Sequence, residues 1–145
     1  MPGIEWAQVK VSNPGGEDNS TTDYYNFSGD AAATFGTVVP DAEGNVVMLF
    51  EHMSHTVFPE ARYIVKRAGQ DNFKGPGVLL KAGEQSYRPG QCGITIQPCR
   101  WGDFEAVSAD LAGHIWLSGE YTNKVNAAVN HNRNWGTWIG AINAS

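Results

Sequence analysis

The residues that can do chemistry in this chain gather at the ends of two similar apolar runs. The first run, NVVMLFEHM, carries Glu51 and His52, and His55 completes an H-x-x-H pattern. The second run, HIWLSGEYT, carries Glu120. Carboxylate oxygens suit calcium or magnesium, whereas imidazole nitrogens admit zinc or manganese. These four residues are the predicted ligands of a divalent metal ion (calcium, zinc or manganese), unless the two histidines are ordinary loop residues that make surface hydrogen bonds.

Asp103 and Glu105 form a second candidate group. They alternate with Phe104 in the segment WGDFEAV, so an extended backbone directs both carboxylates to one side. Asp103 is a further candidate ligand of the metal ion, and Glu105 or His131 is a candidate general base for a metal-bound water. The three residues are the predicted catalytic group. The alternative for Asp103 is a structural role, as a cap of the preceding backbone or as the partner of Arg100.

Aromatic and basic residues near these acids are the candidates for substrate binding. They are Trp101, Tyr121, Arg100 and Trp135. An aromatic ring can stack on a ligand, but tryptophan also packs between sheets, and both roles stay open for Trp101 and Trp135. Nucleophilic catalysis has little support, because the sequence contains neither a G-x-S-x-G motif nor a glycine loop that would cradle a phosphate.

The composition favours a β protein and disfavours a nucleic-acid binder. The 145 residues include 17 glycines, and 11% are aromatic, which is typical of sheets joined by turns. Ten Lys and Arg against 15 Asp and Glu give a net charge of −5, and the basic residues are scattered, so no nucleic acid is expected. Without a signal-peptide pattern or an apolar run of roughly 20 residues, no membrane is expected either.

The two cysteines, Cys92 and Cys99, lie in a loop segment rich in Gly, Pro and Gln. A local disulfide is expected if the compartment is oxidising, and free thiols are the alternative. A metal pair is disfavoured, because the spacing is not that of a CxxC motif and no histidine accompanies them.

A repeat relates two parts of the chain. Residues 34–52 align with residues 103–121, 69 positions later, and each copy reads as an apolar run, a D-x-x-G turn and a second apolar run. This pattern predicts a β-hairpin whose glycine supplies the positive φ of the turn. The matched pairs include Phe35 with Phe104, Asp41 with Asp110, Gly44 with Gly113 and Glu51 with Glu120.

Further strands are predicted around the two hairpins, at 4–12, 23–29, 61–68, 77–83 and 134–142. A four-stranded meander of about fifty residues has the size of one propeller blade. The predicted fold is therefore all-β, with about two four-stranded antiparallel β-propeller blades in a single domain. Residues 1–30 would hold the end strands of a split blade, 31–83 a complete blade, 84–102 a long loop, and 103–145 the start of the next blade.

Several segments resemble the C-terminal end of a family of large bacterial secreted proteins with a sialidase-like β-propeller. They are LLKAGE, RWGDFEAVSADLAGHIWLSGEYTN and NWGTWI, in this order. The resemblance covers most of residues 34–142 and implies an extracellular location, which the sequence itself does not indicate. Because Phe104 stands where that family usually has tyrosine, glycoside hydrolysis by the sialidase route is not expected.

Two blades alone would expose two apolar sheet faces, which soluble monomers rarely tolerate. We therefore expect the chain to be its own partner. The N-terminal strands of one copy would complete the blade begun by the C-terminal strands of another, in a closed head-to-tail ring. Three copies would give six blades, which is the favoured arrangement.

The candidate residues favour a metal-dependent hydrolase of small esters or phosphotriesters, with its site at the central channel of the ring and a small molecule as substrate. This prediction rests on fold-level analogy with propeller lactonases and phosphotriesterases that hold calcium in the channel. The alternative is a non-catalytic module that binds glycans or cell-surface polymers. A third possibility is the product of a broken gene with weak, promiscuous activity.

Overall fold

The computed structural model of the protein describes residues 2–9, 20–87, 101–124 and 134–144. Within these residues the regular structure is antiparallel β-sheet, as the sequence predicts, and no helix there is long and apolar enough to cross a membrane. The strands are β1 (Ile4–Val9), β2 (Ser20–Tyr25), β3 (Ala32–Pro40), β4 (Val46–Met53), β5 (Glu60–Lys66), β6 (Val78–Lys81), β7 (Ala106–Ala109), β8 (Ile115–Thr122) and β9 (Trp135–Ile142).

The strands form three sheets. We call β1–β2 the N-terminal sheet, β3–β4–β5–β6 the central sheet and β7–β8–β9 the C-terminal sheet. In each sheet, strands that follow one another in sequence are neighbours, which is the meander expected of propeller blades. The predicted domain boundaries stay a prediction, and the cysteine pair lies outside the described residues.

The two predicted hairpins have the same turn. Gly44 and Gly113 have φ values of 84° and 89°, in the left-handed region that only glycine enters readily. The aspartate three residues earlier holds each turn, because Oδ1 of Asp41 or Asp110 accepts the backbone N–H four residues later, at 2.8 or 2.9 Å. The repeat in the sequence is therefore a repeat of local structure.

The central sheet is buried on both faces. One face packs against the N-terminal sheet, and the other face packs against the C-terminal sheet. Burial of each large apolar side chain stabilises the fold by about 1.5–3 kcal/mol. The first core contains Trp6, Tyr25, Ala33, Met48, Phe50, Ile64 and Phe73, and the second contains Val47, Leu49, Ile115, Leu117 and Ala144.

The central and C-terminal sheets pack in matching strand order. β3 packs on β7, β4 and β5 pack on β8, and β6 packs on β9, so the two sheets run in the same strand order. Gly119 lets the sheets approach closely, since a Cβ at this position would lie 2.8 Å from the Cβ of Ala61. This stacking sets the ends of β4 and β8 side by side, where most of the candidate residues lie.

Candidate functional site

Four of the predicted site residues come together where β4 and β8 end and β7 begins. They are Glu51, Asp103, Glu105 and Glu120, which we call the acid cluster. Their carboxyl groups lie close together, because, in addition to burial, Glu105 and Glu120 raise the pKa of Glu51, and Asp103 raises the pKa values of Glu105 and Glu120. The four side chains differ in burial. Asp103 is exposed and Glu105 is half-buried, whereas Glu120 is buried and Glu51 is completely buried.

Glu51 is the deepest member of the acid cluster. Its side chain has no solvent exposure, and its strand neighbours are Thr34 on β3 and Ala61 on β5. The Glu105 carboxyl and the Glu120 backbone amide lie near it, but neither forms a hydrogen bond of acceptable geometry with its oxygens. Burial, reinforced by Glu105 and Glu120, raises the pKa of Glu51 to about 10. Glu51 is therefore a neutral carboxylic acid at pH 7.

Glu105 and Glu120 titrate above their ordinary range as well. Burial is the main cause of the raised pKa in both groups, and the neighbouring Asp103 charge adds to it. Glu120 Oε2 also accepts the backbone N–H of Gly102 at 2.7 Å, which partly offsets the rise in its pKa. Perturbed carboxyl groups that cluster at differing depths are a common feature of sites that transfer protons.

The backbone beside the acid cluster is strained at one residue. Phe35 has a φ of 54°, and it lies where the register of β3 and β4 shifts between Thr34 and Thr37. Its ring packs on Gly102, where a Cβ would come within 2.1 Å of the ring. Gly102 itself has a φ of 83°. Bulges and left-handed non-glycine residues are enriched at functional sites, so this geometry marks the same place as the carboxyl groups.

His52 does not join the acid cluster. It is the residue after Glu51 on β4, so its side chain lies on the opposite face of the central sheet. There its Nδ1 is 2.9 Å from Oε1 of Glu60, and its ring packs on Phe27 with 4.4 Å between ring centroids. Arg62 donates to the same Glu60 oxygen at 2.7 Å. His52 is thus 8% exposed and held in a buried hydrogen-bond network with Glu60, not in a surface loop.

His55 lies in a second location, the β4–β5 connection. Its Nδ1 is 2.7 Å from Oδ2 of Asp30, which also accepts the His55 backbone N–H at 3.0 Å. These two hydrogen bonds lower the pKa of Asp30. The pair borders a cleft of about 370 Å³ that also contains Phe58, Ser86 and Tyr87.

The residues predicted to bind substrate are dispersed. Trp101 packs edge-on against Tyr87, with 4.7 Å between ring centroids. Tyr121 packs near Trp138, and the Lys81 ammonium lies 4.7 Å from the Tyr121 ring centroid. Trp135 stacks on Phe104, with 5.2 Å between centroids and 10° between planes. Arg100 and His131 lie outside the described residues.

The predicted metal ligands are not all brought to one place. Glu51 and Glu120 belong to the acid cluster, whereas His52 and His55 are elsewhere and have carboxylate partners of their own. Among the residues that the structure describes, no three imidazole, thiolate or carboxyl groups are arranged to hold a metal ion. The donors available in the cluster are carboxyl oxygens, of which both oxygens of Glu51 and Oε1 of Glu105 are buried without a hydrogen bond. This chemistry suits a hard cation such as calcium better than zinc.

Comparison with known proteins returned no match to a family model, a curated protein or a solved structure. The site must therefore be interpreted from its own residues, and the likeness to sialidase-like propellers stays a prediction.

Two residues of these sites, Asp30 and Thr34, were not predicted from the sequence. Asp30 lies 25 positions before its partner His55, and no local pattern connects them. Thr34 is the strand neighbour of Glu51, and its hydroxyl is buried without a hydrogen-bond partner. The repeat alignment contained a usable signal for Thr34, because it pairs this residue with Asp103, another member of the site.

Proposed function

We propose that the chain is a hydrolase of small esters or phosphotriesters that works at the acid cluster. The observation that carries this proposal is the graded burial of its carboxyl groups, from the protonated and fully buried Glu51 to the exposed Asp103. A carboxyl group that stays neutral at pH 7 leaves the neighbouring carboxyl groups, whose pKa values are shifted less, free to act as proton acceptors without a further like charge beside them.

Glu105 is the proposed general base. It is half-buried at the mouth of the cluster, so a substrate can reach it, and burial raises its pKa toward the working pH. It would take a proton from a water molecule as the water oxygen attacks the carbonyl carbon or the phosphorus. The ester bond then breaks, and the leaving alkoxide takes a proton from the protonated Glu105 or from solvent.

Glu51 is the proposed positioning residue for Glu105. Because it carries no charge at neutral pH, it can lie beside Glu105 without electrostatic repulsion. Glu120 is fixed by the Gly102 N–H and forms the other wall of the cluster. Neither residue needs to touch the substrate in this scheme.

A divalent metal ion stays part of the proposal. Glu105, Glu120 and Asp103 are the carboxyl groups that would hold it, and calcium or manganese fits this oxygen set. When bound, the ion would polarise the ester oxygen and lower the pKa of a bound water. Because no such ligand set is assembled among the described residues, the side chains would have to move toward the ion.

Hydrolysis of nitrophenyl esters and aryl phosphotriesters, with calcium, manganese or zinc added in turn, tests the proposal. We expect turnover whose rate increases with pH, and a loss of roughly 10²–10⁴ in kcat for Glu105→Gln. Glu43→Gln, in the exposed β3–β4 turn, is the matched control and should keep full activity. No turnover with any metal ion, or an unchanged kcat in Glu105→Gln, would contradict the proposal. Loss of activity after chelation, with recovery on adding one metal ion, would support the metal-assisted form.

A binding module is the second candidate function, and the cleft beside His55 favours it. The cleft combines the exposed aromatic ring of Phe58 with Tyr87 and the polar His55–Asp30 pair. Aromatic faces next to hydrogen-bonding groups suit sugar rings. Binding on a glycan array that is lost in Phe58→Ala, together with no hydrolysis of any ester, would favour this function over the hydrolase.

A further inference from the structure

Within the described part of the chain, the C-terminal sheet has one face covered by another sheet and one face without such a cover. Leu117 on β8 is buried against the central sheet, so the alternate residues Trp116 and Ser118 point away from it. On β9, Ile139 lies opposite Ser118 on the same outward face, and Trp135, four residues earlier on the strand, shares that face and stacks on Phe104. Four large apolar side chains are exposed there, at 36–66%: Phe104, Trp116, Trp135 and Ile139. We call these four residues the outward patch.

The repeat predicts what should cover the outward patch. Trp116 and Ser118 are the counterparts of Val47 and Leu49, which form the face of the central sheet that the C-terminal sheet covers. Leu117 is likewise the counterpart of Met48, on the face that meets the preceding sheet. In both sheets, therefore, equivalent residues form the face that points toward the position of the following sheet. The outward patch is the surface on which a next sheet would pack, with its first strand against β7.

The matching surface is on the central sheet. The N-terminal sheet packs on the face that contains Met48 and Phe50, but it does not cover this face fully. Val38 lies opposite Met48 on β3, on the same face, and its side chain is 47% exposed. β3 contacts β1 near Ala33, whose N–H donates to the Pro2 carbonyl, but farther along the strand Val38 stays half-exposed.

We propose that the outward patch of one copy docks on the Val38 side of the central sheet of a second copy. In this arrangement the N-terminal sheet of the second copy lies beside the free edge of β9, and its two strands extend the three-stranded C-terminal sheet outward. The two surfaces are different, so each copy offers one to a copy before it and the other to a copy after it. Such heterologous contacts close into a ring when the rotation between neighbouring copies fits, and three copies remain the favoured number.

This assembly is independent of the proposed hydrolase activity, since neither Val38 nor Ile139 belongs to the acid cluster. It accounts for two features of the described residues, the exposed large apolar side chains of the outward patch and the position of β9 at the edge of its sheet. Exposed strand edges and apolar faces of this kind are usually covered in soluble proteins. A second copy supplies a cover for both.

Two charge variants and their mixture test the proposal in the full chain. Ile139→Lys alters the outward patch, and Val38→Lys alters the opposite surface. Leu111→Lys is the control, because Leu111 is fully exposed in the β7–β8 turn and lies on neither surface. Native mass spectrometry and light scattering would give the masses, and circular dichroism would establish that each variant is folded.

We expect the wild type and Leu111→Lys to have three times the 15.7 kDa mass of the chain, and each of the other variants to be a folded monomer. An equimolar mixture of the two monomeric variants should form a dimer, because each keeps the surface that the other has lost. A monomeric wild type, or oligomers that both lysine variants leave intact, would overturn the proposal. Failure of the mixture to associate would also overturn it, since a self-complementary dimer interface predicts that result.

Discussion

Glu51 and His52 are adjacent in sequence, yet their side chains lie on opposite faces of β4. Glu51 lies in the acid cluster, on the face of β4 that meets the C-terminal sheet, whereas His52 lies against Phe27, on the side of the N-terminal sheet. A metal site that uses both residues as ligands is incompatible with this strand, and the two residues should respond differently to substitution.

Replacing Glu51 with glutamine should change how stability depends on pH. The folded-state pKa of about 10 lies above the ordinary value of 4.5, so the unfolded chain releases this proton first as the pH rises. The stabilising contribution is complete below about pH 4.5 and is lost progressively up to about pH 10, by at most ~1.4 kcal/mol per pH unit. Denaturant titrations at pH 5, 7 and 9 should show a smaller decline in Glu51→Gln than in the wild type. Equal declines would mean that Glu51 is ionised in the folded protein.

Gly102→Ala should destabilise the protein more than Gly113→Ala. Both glycines have positive φ values, so alanine costs backbone strain of about 1 kcal/mol at either position. Only at Gly102 does the added Cβ meet the Phe35 ring, since Gly113 has open space around it. We expect a further loss of about 1–3 kcal/mol in the free energy of unfolding of Gly102→Ala. Thermal unfolding of the two variants side by side measures the difference, and equal losses would show that Phe35 moves away freely.

His52→Ala and His55→Ala should differ in how much they lower the free energy of unfolding. His52 is buried beside Glu60, and its removal leaves a cavity and one hydrogen bond fewer for that carboxylate, so we expect a loss of about 1–3 kcal/mol. The His55 side chain is 89% exposed, so its removal should alter stability by less than about 0.5 kcal/mol. Urea titration gives both values. A larger loss in His55→Ala than in His52→Ala would contradict the structural roles described above.

Thr34→Val should stabilise the protein if nothing binds at the acid cluster. The Thr34 hydroxyl is buried without a hydrogen-bond partner, so replacing it with a methyl group of similar size removes a cost of about 1 kcal/mol. Thr137→Val, on the exposed surface of β9, is the control and should have little effect. A destabilised Thr34→Val would indicate that a water molecule or a cation occupies the space between Thr34 and Glu51.

Local patterns in the sequence predicted the hairpins well, because their determinants are local. Asp41 with Gly44, and Asp110 with Gly113, specify the same turn without help from the rest of the chain. The sequence did not separate two predicted ligands at the end of β4. Glu51 and His52 were expected to bind one metal ion, but the strand continues to Met53 and alternation places their side chains on opposite faces.

The partners of His52 and His55 could not be predicted for a different reason. Glu60 and Asp30 meet them through sheet register and loop packing, which depend on tertiary structure. The acid cluster was partly predictable, since the repeat matches Glu51 with Glu120, but the burial that keeps Glu51 protonated is a property of the packed sheets.

The N-terminal sheet has a consequence for the kinetics of assembly. Trp6 packs edge-on against Phe73 of its own chain, and the Tyr25 hydroxyl donates to the Gly75 carbonyl at 3.0 Å, so β1 and β2 are already anchored to the central sheet of the same copy. Copies that associate through preformed surfaces need no strand exchange and no partial unfolding. If copies of the chain associate as proposed, they would do so by bimolecular collisions at about 10⁵–10⁷ M⁻¹ s⁻¹, and dilution would release subunits that remain folded.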